Sequence, residues 1–93
     1  MKKSIITDDM EHCFVCGSPY VQVHHCLHGT ANRKMADKYK LVIPLCRKHH
    51  TGGLDSVHRN AELDMQIKRI AQEAFEQKYS REKFMEVFGK SYV

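Results

Sequence analysis

The sequence has no tryptophan and only two prolines, five glycines, four phenylalanines and four tyrosines. So few aromatic side chains in 93 residues give a modest hydrophobic core, and a chain of this size is expected to supplement it with a metal, a disulfide or an oligomer contact. Two independent cores are excluded on the same ground, so one domain is expected. Apolar runs are short as well. Leu41–Leu45 is among the longest and falls far below the length of a membrane span. The opening Met1-Lys2-Lys3-Ser4-Ile5-Ile6 continues into Thr7-Asp8-Asp9 rather than an apolar leader, so no membrane association and a cytoplasmic location are expected. Hydrophobic residues at 42%, charged residues at 28% and a mean hydropathy of -0.53 exclude disordered and collagen-like classes. The net charge of +4 is a mild lean towards anionic partners.

What the chain does have is concentrated. All four cysteines and all seven histidines fall between His12 and His58, and the other half of the chain holds none. A reducing compartment disfavours a disulfide framework, and co-clustered histidine points to metal. Cys13-Phe14-Val15-Cys16 and Cys46-Arg47-Lys48-His49 are two pairs of ligand residues, each with two residues between, the spacing that lets one tight knuckle present two side chains to a tetrahedral zinc ion. The 29 residues between the pairs exceed the 12 or so of a DNA-reading finger, so the insert must be a structure of its own. The competing readings are buried free thiols or a redox pair. A redox pair needs a helix start, whereas Cys16 is followed by Gly17-Ser18-Pro19 and a strand pattern. Cys26 could substitute for one of the four ligands but reads as a small packing residue.

The pattern divides the chain into residues 1–12, a polar mobile arm; residues 13–58, the metal-rich unit; and residues 59–93, helices that pack on it. Tyr20–His24 alternates like a strand, Lys40–Leu45 reads as a more buried strand with Pro44 at an edge or end, and Gly29–Lys38 between them reads as a polar loop. Arg47–Thr51 suits a helical turn stopped by Gly52-Gly53. From Asn60, a candidate N-cap, Leu63, Ile67, Ile70, Ala71, Ala74 and Phe75 recur at helical steps. Ser80 caps a second short helix carrying Phe84, Val87 and Phe88, stopped by Gly89. The fold class expected is α+β.

Four histidines exceed what a zinc knuckle needs: His24 and His25 at the end of the first strand, His50 directly after the second ligand pair, and His58. Adjacent strand residues point to opposite sides, so one imidazole of His24-His25 can bind a metal while the other faces water or substrate. Together with Cys13-x-x-Cys16 and Ile43-Pro44-Leu45-Cys46-Arg47-Lys48-His49-His50, the segment Val23-His24-His25 resembles the HNH endonucleases. These are the ββα-metal or His-Me finger group of homing enzymes, colicin DNases and small phage and prophage proteins. The resemblance covers about half of the chain.

It implies a ββα-metal core with a structural zinc held by Cys13, Cys16, Cys46 and His49, followed by amphipathic helices. It also implies a second divalent ion (Mg²⁺, Mn²⁺, Ni²⁺ or Zn²⁺) on His24 and His50, with His58 as a third ligand, and His25 as general base for hydrolysis of DNA phosphodiester bonds. Products carrying a 5′-phosphate and a 3′-hydroxyl are implied likewise. One departure stands out: many relatives have an Asn at the start of the second strand to orient the base, and here that position is Leu41 beside Lys40. A backbone carbonyl then has to substitute, or activity is weak. The plainer readings make His24, His25 and His50 polar surface or zinc-site residues and His58 a helix cap, while His12 and His28 read as surface residues.

Arg33, Lys34, Lys38, Lys40, Arg47 and Lys48 face Asp37 alone in their stretch, which favours a grip on the DNA backbone near the site with little base readout. The alternatives are a non-catalytic zinc-binding DNA adaptor and a zinc-stabilised interaction module that binds through Phe75, Phe84 and Phe88. A homodimer would be one way to cut both strands.

Overall fold

The computed structural model describes residues 3–27, 29–52, 56–57 and 59–93. Its elements, in chain order, are β1 (Val21–His25), α1 (Thr30–Lys38), β2 (Val42–Cys46), a π-helical turn (Lys48–Gly52), α2 (Ala61–Lys78) and α3 (Arg81–Phe88). The molecule is α+β, with a two-stranded antiparallel sheet and helices.

In β1 and β2, Val21 pairs with Cys46, Gln22 with Leu45, Val23 with Pro44, His24 with Ile43 and His25 with Val42. Opposed residues in an antiparallel pair share a face. His24 therefore shares the face of Ile43, and His25 lies on the other, with Val42. Every residue of β2 is buried. Pro44 is tolerated because both strands of a two-stranded sheet are edges.

The segment Gly29–Lys38, expected to be a polar loop, contains a helix. Its inner side carries Met35, Ala36 and, just beyond its end, Tyr39, while Arg33, Lys34 and Lys38 are exposed. Three apolar contacts suffice because tertiary packing, rather than propensity, supplies most helical stability. The helix ends in a Schellman closure, with Leu41 N–H donating to Ala36 O (2.7 Å) and Lys40 N–H to Asp37 O (3.2 Å). Lys40 takes the left-handed conformation there, at φ 61.

α2 and α3 follow their local chemistry. The Asn60 side chain accepts from Leu63 N–H and that of Ser80 from Lys83 N–H, and Gly89 closes α3 at φ 74. Glu62 and Asp64 occupy the first turn of α2, where the helix dipole favours negative charge. The buried face of α2 is Ile67, Ala71, Gln72 and Phe75. Ile70, expected on that face, is 39% exposed, and the interior position goes to Gln72. The Gln72 amide donates to Glu76 Oε2 (2.8 Å) and Ser91 Oγ (3.1 Å) and accepts from Tyr92 N–H (2.7 Å), so its polar atoms are satisfied and the tail is fastened to α2.

Phe75, Phe84 and Phe88 do not form an open face. Phe75 meets Tyr39 (5.3 Å), Phe84 (5.4 Å) and Phe88 (6.0 Å) edge to face, and all three phenylalanines are buried with Leu27, Leu41, Ile43 and Leu45 in one core. The interaction surface expected from these rings is corrected accordingly: Phe75, Phe84 and Phe88 build the core. The segment expected to be a mobile arm is attached in its described part, with Ile5 and Ile6 packed on the core and Ile5 N–H donating to Lys40 O (3.1 Å).

Candidate functional site

Cys13 and Cys16 sit on a tight turn built by Gly17 N–H donating to Cys13 O and Cys13 N–H to Ser18 O, both 2.8 Å, with Gly17 at φ 80. A non-glycine side chain is disfavoured in that left-handed conformation. Phe14 N–H then donates to Pro44 O (2.8 Å), which hangs the turn on β2. The same strand ends in Cys46, and the turn after it presents His49.

The ligand atoms of Cys13, Cys16, Cys46 and His49 consequently lie within 4.8 Å of one another, and the four could hold a metal ion. Cys46 Sγ is 3.2 Å from His49 Nδ1, Cys13 Sγ is 3.7 Å from it, and Cys16 Sγ is 3.6 Å from Cys46 Sγ. A tetrahedral zinc with bonds of about 2.3 Å to sulfur and about 2.0–2.1 Å to nitrogen sets donors about 3.5–3.8 Å apart; two of these separations match it and the Cys46–His49 one is slightly shorter, so the set could hold a structural zinc.

The electrostatics agree with a cation site. Burial pushes the Cys13 thiol up, but the backbone N–H groups of Cys46, Cys16 and Val15 and the Cys16 thiol outweigh it and hold the group at about 6. Cys16 shifts the other way: the Ser18 backbone N–H lowers it, but burial and the neighbouring Cys46 and Cys13 sulfurs raise it above the ordinary thiol value. Two thiolates this close repel, and a cation between them removes the conflict. Cys26 is apart from this group; it is fully buried, and burial with the Asp64 carboxylate pushes its thiol up, which suits the packing role expected for it.

A second constellation lies around β1. His24 is 2% exposed, and its ring meets that of His50 edge to face at 5.3 Å between centroids. Gln22, two residues before His24 and on the same face, places Oε1 2.8 Å from His50 Nδ1. With the proton on Nδ1, His50 donates to this carbonyl oxygen, a contact of the kind that orients an imidazole ring. His25, on the opposite face, has Nε2 3.3 Å from Asp37 Oδ1.

The structure thus brings together the four expected zinc ligands, and it brings His24 beside His50. It does not complete a second group of three Cys, His, Asp or Glu donors among the described residues. His58, the expected third ligand, and His28 lie outside the described residues. His12 is a surface residue paired with Asp9 at 2.9 Å. Arg33, Lys34, Lys38, Lys40, Arg47 and Lys48 are all exposed.

Two residues of the constellation were not anticipated. Period-two alternation back from His24 would have found Gln22, whereas Asp37 stood in an apparent loop and gave no signal. Among the described residues, no helix is long and apolar enough to cross a membrane. No protein-family model matches the chain, and no match is found among curated proteins or among solved structures.

Proposed function

We propose that the protein is a metal-dependent HNH-type endonuclease that hydrolyses DNA phosphodiester bonds, built on a ββα-metal core that a zinc knuckle braces. The observation that carries this reading is the pairing of His24, at the end of β1, with His50, just beyond β2, at 5.3 Å between ring centroids. Structural zinc needs only the four ligands already assembled beside them, so it does not account for this pair.

In this reading His25 takes a proton from water, and the water oxygen bonds to phosphorus. The bond to the 3′ oxygen breaks with its electron pair on that oxygen, which solvent protonates, leaving a 3′-hydroxyl and a 5′-phosphate. A divalent ion held by His24 and His50, with His58 as a further ligand, would supply neutralisation of the charge that develops on the phosphate. The exposed basic residues Arg33, Lys34 and Lys38 of α1, with Lys40, Arg47 and Lys48, hold the phosphate backbone without reading bases.

The test is nicking of supercoiled plasmid by the zinc-loaded chain with Mg²⁺, Mn²⁺ or Ni²⁺, beside His25→Ala. Nicking that requires the added ion and falls at least about 100-fold in the variant supports the reading. DNA binding without cleavage under every ion would replace it with the non-catalytic adaptor.

A further inference from the structure

The position at which HNH relatives are expected to carry an orienting Asn is Leu41, and Leu41 is fully buried in the core. It cannot reach a catalytic base. On the other face of the sheet, a cavity of about 190 Å³ opens beside Val42, lined by Lys3, Asp37, Lys40 and Val42. Val42 is the register partner of His25, and Asp37, which lines the cavity, is the residue that the His25 ring meets. His25 Nε2 is 3.3 Å from Asp37 Oδ1, with the imidazole side chain 15% exposed and the carboxylate 51%.

The position of Asp37 on the last turn of α1 is set by backbone geometry. The Schellman closure of α1 turns the chain at Lys40 and delivers it straight into β2. Lys40 adopts φ 61 to do so, a conformation that costs a non-glycine residue about 1–2 kcal/mol. The last turn of α1 is thereby fixed against the end of β1, and the two side chains meet across the connection that the orienting Asn would otherwise serve.

We propose that Asp37 is the positioning residue for His25. Its carboxylate accepts a hydrogen bond from Nε2–H, which fixes one tautomer and leaves the Nδ1 lone pair to receive the proton of the attacking water. The same carboxylate faces the ring as it takes up that proton. The use made of Nδ1 rests on the nuclease reading above; the hydrogen bond and the tautomer do not.

Two measurements on the zinc-loaded full chain test it. In nitrogen-15 histidine spectra of the neutral ring, the His25 Nε2–H proton is expected to be visible and slow to exchange, retained in Asp37→Asn, which keeps an acceptor oxygen, and lost to rapid exchange in Asp37→Ala. In the nicking assay, Asp37→Ala is expected to lower kcat about 10–100-fold with KM unchanged, and Asp37→Asn to recover part of the loss. An Nε2–H signal that persists unchanged in Asp37→Ala, or a ring protonated on Nδ1 in the wild type, overturns the assignment. If the wild type nicks no DNA under any ion, the nuclease reading fails, and the spectra by themselves decide whether Asp37 holds the ring.

Discussion

His24 and His50 present their rings edge to face, 5.3 Å apart, although one ends β1 and the other stands beyond the far end of β2. The antiparallel register sets Gln22 opposite Leu45 and His24 opposite Ile43, so the chain leaves β2 beside the start of β1, and His50 comes back over the face that Gln22 and His24 share. Gln22 Oε1 lies 2.8 Å from His50 Nδ1, within reach of a hydrogen bond that orients the ring.

A second divalent ion is therefore expected to bind the zinc-loaded protein through this pair. In calorimetric titration with Mn²⁺, His50→Ala is expected to abolish that binding while leaving the bound zinc in place, and Gln22→Ala to weaken it about 10–100-fold. Equal affinity in wild type and His50→Ala would remove the pair from the ion-binding account.

The zinc knuckle gives an expectation for pH. Cys13 is held at about 6, below the ordinary 9.0 of a thiol. A group with a depressed folded value contributes stability in full above its unfolded value and loses it as pH falls through the folded one. That contribution is complete above pH 9.0 and is lost on acidification through about 6, and bound zinc moves the lower limit further down because it also favours the thiolate. Zinc is accordingly expected to remain bound at neutral pH and to be released, with cooperative unfolding, below about pH 6, as a zinc-sensitive dye and circular dichroism would report. Cys13→Ser is expected to show that unfolded state at neutral pH. A folded, zinc-free variant would contradict it.

The parts that were legible in the sequence are those decided by local chemistry. Cys-x-x-Cys and Cys-x-x-His spacing fixes which side chains share a knuckle, and Asn60, Ser80 and Gly89 mark helix ends because each satisfies backbone groups within a turn of itself. α1 was not legible. Its inner side is only Met35, Ala36 and Tyr39 among polar residues, and its closing residue is Lys40, where glycine is the usual sign of a helix end. The meeting of His25 with Asp37 depends on where that helix ends, so it was hidden as well. The aromatic rings were legible as an apolar face but not as an occupied one, since Tyr39 covers Phe75 from an element read as a loop.

Leu41 allows the departure from the HNH pattern to be tested directly. Its side chain is fully buried, and its backbone joins the closure of α1 to β2 through Leu41 N–H on Ala36 O and Cys26 N–H on Leu41 O. Leu41→Asn restores the letter of the motif, but it removes a core side chain and buries an amide. It is expected to lower stability by about 2–5 kcal/mol in urea denaturation and to give no gain in nicking per folded molecule. A more active Leu41→Asn protein would mean that the base is oriented from the core side after all.

The placement of positive charge leads to the remaining expectation. Lys34 and Lys38, four residues apart on α1, share one exposed face, and Lys40 follows them at the cavity that Asp37 also lines. Charges that grip phosphates release counterions, so each contact to duplex DNA contributes about -0.9 to the slope of log affinity against log salt. Lys34→Glu/Lys38→Glu is expected to weaken duplex binding equally for unrelated sequences, to make that slope shallower by about 2, and to leave the thermal midpoint of unfolding nearly unchanged. Lys78→Glu/Lys90→Glu, at the end of α2 and just beyond α3, makes the same change in net charge and serves as the control. If the control flattens the slope as much as the α1 variant does, the attraction is a property of the whole surface; if only the α1 variant does so, the phosphate backbone lies along α1, beside His25.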